Sequence, residues 1–292
     1  MMHTALRRAA AYLALSATAA FLVPSAAPAQ ETAARRMLPD YEQREWRGVG
    51  RLNITGGGYC TATLLSETLA VTAAHCLYDD LRRRYDTEVY FAAGYRDGTW
   101  EAIRQARRTA VHPDYVPTRG RRMKIDNVYS DIALVELDAP VLGSRIPHYP
   151  PDALPAKDGA VALLSYGRGR SFALSLQEPC RVRGRDGDIA RLTCEVAPGS
   201  SGAPVFRRAA DGAPQMVAII SGHDRSQTYA AVLDAALPTL KARLKTHEVA
   251  RKSVAAPGAG AAAGGGGAFK SVRPGGGLSG GSAWQGRRPP GG

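Results

Sequence analysis

Apolar positions along most of this chain fall in short runs separated by glycine, proline and acidic turns, not at helical spacing. Residues 60–65 and 69–73 flank a turn at Ser66-Glu67. Further strand-like runs follow at 88–92, 103–111 and 131–137. A proline-rich crossing then carries Pro140, Pro147, Pro150, Pro151 and Pro155. Beyond it the runs resume at 161–166, 172–176, 190–194, 204–206, 216–220 and 228–232. Many short strands with Gly/Pro turns predict an all-β fold of closed antiparallel sheets. Only 238–248 has helical spacing, with Leu240 and Leu244 on one face and Pro238 near its start.

The two ends read differently. Arg7 and Arg8 precede an apolar stretch, 9–23, and Ala27-Pro28-Ala29 supplies small residues for cleavage. This predicts a secretory signal over 1–29 and a mature start at Gln30. Residues 30–40 read as a flexible leader. From Val249 the sequence is dominated by Gly, Ala, Pro, Ser and Arg, too poor in apolar side chains to offset chain entropy, so 249–292 reads as a disordered tail. Residues 41–248 remain as the folded part, with a first barrel over 41–138, a second over 156–235 and the helix after it.

Charge follows the same division. The formal net charge is +12; the signal accounts for two of these positives, Arg7 and Arg8. The tail holds six more, Arg251, Lys252, Lys270, Arg273, Arg287 and Arg288, and no acid, leaving about +4 on the folded part. A nucleic-acid role for that part is therefore not expected. Arg119, Arg121, Arg122 and Lys124 cluster before Asp131, which reads as a solvated insertion. The four cysteines of an exported chain imply disulfides. Of three possible pairings, Cys60–Cys76 and Cys180–Cys194 close local loops of roughly 15 residues, each worth about 3 kcal/mol.

Three segments carry candidate chemistry. Thr72-Ala73-Ala74-His75-Cys76 places a histidine in a disulfide-ready loop. Ser130-Asp131-Ile132-Ala133-Leu134 places an acid at the head of an apolar strand. Gly199-Ser200-Ser201-Gly202-Ala203-Pro204 places a serine in a glycine-flanked turn. A serine hydroxyl is a poor nucleophile until a base takes its proton, and that base needs a buried acceptor to fix its tautomer. Each segment alone is weak; the order His, Asp, Ser is informative.

Together with Gly58-Tyr59-Cys60-Thr61-Ala62-Thr63-Leu64-Leu65 and His112-Pro113-Asp114-Tyr115, these segments resemble the chymotrypsin-like (trypsin-fold) serine peptidases. The resemblance covers about 47–244 and points to the bacterial branch near the V8-type glutamyl endopeptidases. It implies two six-stranded antiparallel β-barrels with a C-terminal helix and the site in the cleft between barrels. It implies hydrolysis of peptide bonds through an acyl-enzyme by His75, Asp131 and Ser201. Ser200 competes for the nucleophile, but the family pattern puts that serine before Gly202 and three residues from Pro204. Asp126 competes with Asp131, but only Asp131 opens an apolar strand.

Gly199 and Ser201 are expected to supply oxyanion-hole N–H groups. Glu195, Ser221, Gly222 and His223 are the expected substrate contacts. Glu195 is where trypsin-like members carry a pocket acid, whereas the histidine that glutamyl members use falls at Ile220. Ser200 stands where animal members have an aspartate that pairs with a cleaved N-terminus, so that switch is expected to be absent. No cofactor or metal is expected. Protein or peptide substrates, a monomer, a weak tail contact with anionic surfaces and a secreted or periplasmic location complete the expectation. A catalytically weak binding module and an esterase with the same triad remain alternatives.

Overall fold

The computed structural model describes residues 33–55, 58–79, 84–85, 88–118, 124–144 and 146–254. The signal segment 1–29, the cluster Arg119, Arg121 and Arg122, and the tail beyond 254 lie outside them. The strands in chain order are β1 (Arg36–Met37), β2 (Val49–Ile54), β3 (Gly58–Ser66), β4 (Leu69–Thr72), β5 (Tyr78–Asp79), β6 (Arg84–Tyr85), β7 (Val89–Ala93) and β8 (Ala102–Val111). They continue with β9 (Ala133–Leu137), β10 (Ala160–Ser165), β11 (Ser175–Asp186), β12 (Ile189–Leu192), β13 (Pro204–Arg208), β14 (Pro214–His223) and β15 (Thr228–Val232). Helix α1 (Asp40–Gln43) precedes β2, and α2 (Leu233–Val254) follows β15.

Two antiparallel barrels result. The first closes in the order β2-β3-β4-β9-β8-β7. The second runs β11-β10-β13-β14-β15-β12 and closes through β11–β12 pairing, with β1 added outside β11. Closure removes the exposed edges that an open sheet presents. The expected all-β architecture with two six-stranded barrels and a C-terminal helix is therefore present.

Strand periodicity explains why so many runs are apolar throughout. In β9, Ala133, Val135 and Leu137 fill the first barrel, while Leu134 points into a second cluster outside it. In β10, Val161 and Leu163 fill the second barrel, while Ala162 and Leu164 join that same outer cluster. Alternating side chains therefore meet apolar surroundings on both faces. The outer cluster also takes Trp46, Tyr149 and Phe206, whose rings pack with Tyr149 and Phe206 centroids 4.8 Å apart and tilted at 62°. The proline-rich crossing lies along both barrels: Tyr149 N–H donates to Leu64 O at 3.0 Å, and Asp152 N–H to Met216 O at 2.9 Å.

Helix α2 closes the chain over this cluster. Leu233, Ala236, Leu237, Leu240 and Leu244 are buried along one face. The helix is longer than the predicted 238–248. It starts directly after β15, because Leu233, Ala236 and Leu237 extend the same apolar stripe, and Pro238 sits in its second turn. It also continues past Val249, where the tail was expected to begin. The leader expectation also changes. From Ala33 onward the chain lies against the second barrel: β1 pairs Arg36 with Leu176 and Met37 with Ser175, and Leu38 is buried. Short polar sequence hid this strand, since its partner is supplied from far along the chain.

Candidate active site

His75 sits in a 3-10 turn, Ala74–Leu77, that follows β4 immediately. Cys76, beside it, is bonded to Cys60 on β3, with Cα atoms 6.2 Å apart. Cys180 and Cys194 form the second disulfide. Both pairings match the sequence expectation. Asp131 follows another 3-10 turn, Ile125–Ser130, and enters β9. The competing Asp126 lies exposed in the first turn of that 3-10 segment.

Asp131 and His75 face each other. His75 Nδ1 lies 2.7 Å from Asp131 Oδ2, and the His75 backbone N–H donates to Oδ1 at 2.9 Å. Ser221 Oγ–H donates to Oδ2 at 2.5 Å. The Asp131 side chain is 7 % exposed and that of His75 37 %. Burial works to raise the Asp131 carboxyl pKa, but His75 and the hydrogen bonds from His75 and Ser221 outweigh it and hold the carboxyl below its ordinary value. A carboxylate acceptor at Nδ1 keeps the proton on that nitrogen and leaves Nε2 as the basic one.

Ser201 comes from the second barrel, in the turn ahead of β13. Its carbonyl accepts from Thr61 N–H on β3 at 2.9 Å. Thr61 Oγ–H donates to Gly199 O at 3.0 Å, and Thr72 Oγ–H donates to Thr61 O at 2.9 Å. The serine turn is thus bonded to the strands that lead into the His75 turn. Gly202 makes this approach possible. Its φ is +75°, and a Cβ there would fall 2.2 Å from Thr72 Oγ1 and 2.3 Å from Thr61 O. Gly199 has φ +95° and abuts the Tyr59 ring in the same way.

The two serines have different surroundings. Ser200 is fully buried; its hydroxyl donates to Ser165 Oγ at 3.1 Å and accepts from Ala197 N–H at 3.3 Å. Ser201 is partly exposed. Ser200 N–H donates to Ala197 O and Gly202 N–H to Ile220 O, whereas the N–H groups of Gly199 and Ser201 have no acceptor among the described residues.

The expected substrate residues are spread around this turn. Ser221 is buried and spends its hydroxyl on Asp131, so only its backbone is left for another partner. Gly222 pairs with Tyr229, and exposed His223 donates from Nδ1 to Asp224 O at 3.0 Å. Glu195 is exposed, with its N–H donating to Gln177 Oε1 at 2.8 Å. Ile220 is a core residue of the second barrel. Cys60, His75 and Cys76 bring ligand-type atoms within 4.8 Å of one another, but the two sulfurs are bonded to each other. Thr61 and Thr72 were not singled out from sequence, although both lie within the quoted motifs; Gln177 and Arg35 carried no signal.

A family model described as the trypsin-like peptidase domain matches residues 60–219, more than half of the chain. The Modular serine protease of Drosophila melanogaster is 34 % identical over 84 residues, which is 28 % of this chain; the match spans only 13 % of that relative's length. Among solved structures, a Glu endopeptidase in complex with MPD aligns with a TM-score of 0.59 at 17 % identity, covering 73 % of this chain and 97 % of that one. The protease Anisep from Arthrobacter nicotinovorans aligns with a TM-score of 0.50 at 16 % identity, covering 64 % and 90 %. These two structures share the fold. With the matched segment running from the first cysteine into β14, this chain belongs to the trypsin-like peptidase domain family.

Proposed function

We propose that the chain is an exported serine endopeptidase in which His75, Asp131 and Ser201 act together through an acyl-enzyme. The observation that carries this reading is the ionised, buried Asp131 bonded to His75, on strands to which the Ser201 turn is itself bonded. Ser201 Oγ attacks the carbonyl carbon of the scissile bond while His75 Nε2 takes its proton. The N–H groups of Gly199 and Ser201, which lack acceptors among the described residues, receive the negative oxygen of the tetrahedral intermediate. His75 then gives the proton to the leaving amine, and the C–N bond breaks. Water, deprotonated by the same nitrogen, releases the acid and restores Ser201.

The partly exposed Ser201 suits the nucleophile, and the buried, doubly bonded Ser200 does not. We assign Glu195, Gly222 and His223 to the substrate side, and Ser221 to Asp131. The two disulfides support an oxidising compartment, in keeping with the signal read over 1–29. We assign the tail a weak, salt-dependent contact with anionic surfaces.

The test is labelling by a serine-directed fluorophosphonate, followed by digestion of a peptide library. Attachment at Ser201 and cleavage of peptide bonds are expected. No labelling would leave a binding module, and labelling without peptide cleavage would leave an esterase.

A further inference from the structure

The segment ahead of the first barrel is fastened to β11 and the residues before it, beside the loop that carries Ser201. Ala33 N–H donates to Pro179 O at 3.0 Å, and Leu38 N–H to Leu174 O at 2.9 Å, on either side of β1. Arg170 Nη1 donates to Arg35 O. One buried side chain joins this segment to the loop. Gln177 Nε2 donates to Ala33 O at 2.8 Å, and its Oε1 accepts from Glu195 N–H at 2.8 Å. Gln177 is 1 % exposed, so both ends of its amide are committed.

Arg35 makes a second link. A Cβ built on Gly167 would lie 2.9 Å from Arg35 Nη1, 3.1 Å from Ser200 Oγ and 3.5 Å from Ala197 Cβ. The guanidinium and the turn 197–200 therefore both border Gly167. Its Nη1 is buried and has no hydrogen-bond partner among the described residues. It fills this spot by packing and charge. Burial lowers its pKa and Arg170 lowers it further, while Glu195 works in the other direction.

The loop holds Ser201 and two N–H groups without acceptors among the described residues, with a left-handed bend at Gly199. Its other bonds lie toward its C-terminal end: Ser200 N–H to Ala197 O at 2.8 Å, Ala197 N–H to Ser200 Oγ, Ala203 N–H to Ser200 O at 3.0 Å, Arg168 N–H to Pro198 O at 2.7 Å, Ser200 Oγ–H to Ser165 Oγ, and the two from Thr61 to Gly199 O and Ser201 O; none of these reaches Glu195. We propose that Arg35 and Gln177 are positioning residues, through which the segment 33–38 holds the loop 195–201 in its working conformation. This rests on the reading of Ser201 as nucleophile. A processing cut beyond Ala33 would then remove part of the working enzyme.

The experiment uses the mature chain with Arg35→Met, Arg35→Lys and Gln177→Met. Hydrogen exchange across 195–203 is followed by mass spectrometry, beside kcat and KM for a small ester. In Arg35→Met and Gln177→Met, exchange in the loop is expected to quicken by about 10-fold or more while β10 and β13 keep their protection. A loop displaced by about 1 Å should lower kcat by about 10²-fold, with KM within about twofold. Arg35→Lys should restore part of both. Should Arg35→Met also unprotect β10 and β13, the lysine variant and Gln177→Met carry the comparison. Wild-type loop exchange, or wild-type kcat, in the folded variants overturns the proposal. A wild-type protein that neither hydrolyses nor labels would sink the peptidase reading, and loop exchange alone would then decide the positioning role.

Discussion

Asp131 is held from three directions, and each has a separate consequence. Its carboxylate accepts from the His75 ring, the His75 backbone and Ser221, in a buried place. An Asp131→Asn amide cannot accept in the same way and favours the wrong imidazole tautomer. It should lower kcat by about 10⁴-fold while leaving the fold intact, as read by circular dichroism beside the assay. Activity should rise with pH across the range where an imidazole loses its proton, between about pH 5 and 8. The low pKa of Asp131 sets a second limit. Its folded pKa lies below the unfolded value of about 3.9, so its stabilisation is complete above that pH and fades as pH falls through the folded value. Melting temperature against pH should show this acid loss in the wild type and lack it in Asp131→Asn. Ser201→Ala should cost about 10⁴- to 10⁶-fold in kcat. Ser200→Ala should keep probe attachment at Ser201 while losing about 1–2 kcal/mol of stability in denaturant unfolding, since two hydrogen bonds go with its hydroxyl. Attachment at Ser200 would reverse the assignment. At this scale the sequence was informative where a side chain sits in a dense motif, as with His75 and Ser201. It was silent on Gln177, because one buried amide bridging two distant backbone groups leaves no local pattern.

Elements were legible where both strand faces are apolar and hidden where polar residues have special partners. β9, β10 and β14 stand out because alternate residues enter a barrel and the outer cluster. β2 does not, because Arg51 and Asn53 interrupt it. Arg51 is accommodated by lying over the Tyr59 and Tyr95 rings, 4.4 and 5.0 Å from their centroids. β11 is longer than its apolar core, continuing to Asp186 by pairing with β12. The disulfides act at this scale. Cys60–Cys76 spans 16 residues and ties the His75 turn to β3, so reducing it should remove about 3 kcal/mol and also lower kcat. A dithiothreitol series followed by both melting and assay checks this. Loss of stability with unchanged kcat in the folded protein would mean that packing alone holds the turn. The crossing of the two barrels at Gly202 is tighter still. Gly202→Ala would press a methyl into Thr72 Oγ1 and Thr61 O while demanding a left-handed backbone from alanine. It should destabilise by more than about 2 kcal/mol, because neither backbone can retreat without breaking the Thr61–Ser201 bond. Urea midpoints would measure it.

For the whole molecule, the decisive feature is that each barrel holds only part of the candidate site. The first supplies His75 and Asp131, the second Ser201 and Ser221, and bonds crossing between them run from Ser221 to Asp131 and from Thr61 to Ser201. Helix α2 packs on the cluster that both barrels share, and Arg108 of β8 donates to Leu244 O at 3.3 Å. The helix is thus packed on that cluster as far as Leu244 and continues to Val254, so a truncation that leaves it whole ends after Val254. Deleting 255–292 should leave kcat and melting temperature unchanged, since every residue placed in the site precedes it. The deleted stretch carries Lys270, Arg273, Arg287 and Arg288 and no acid. Its loss should weaken retention on vesicles of anionic lipid at low salt, and the difference should vanish as salt shortens the screening length from about 30 Å at 0.01 M to about 3 Å at 1 M. Co-sedimentation of intact and shortened protein at the two salts makes the comparison. Equal retention at low salt would deny the tail this contact, and a fall in kcat would show that the working unit extends beyond Val254.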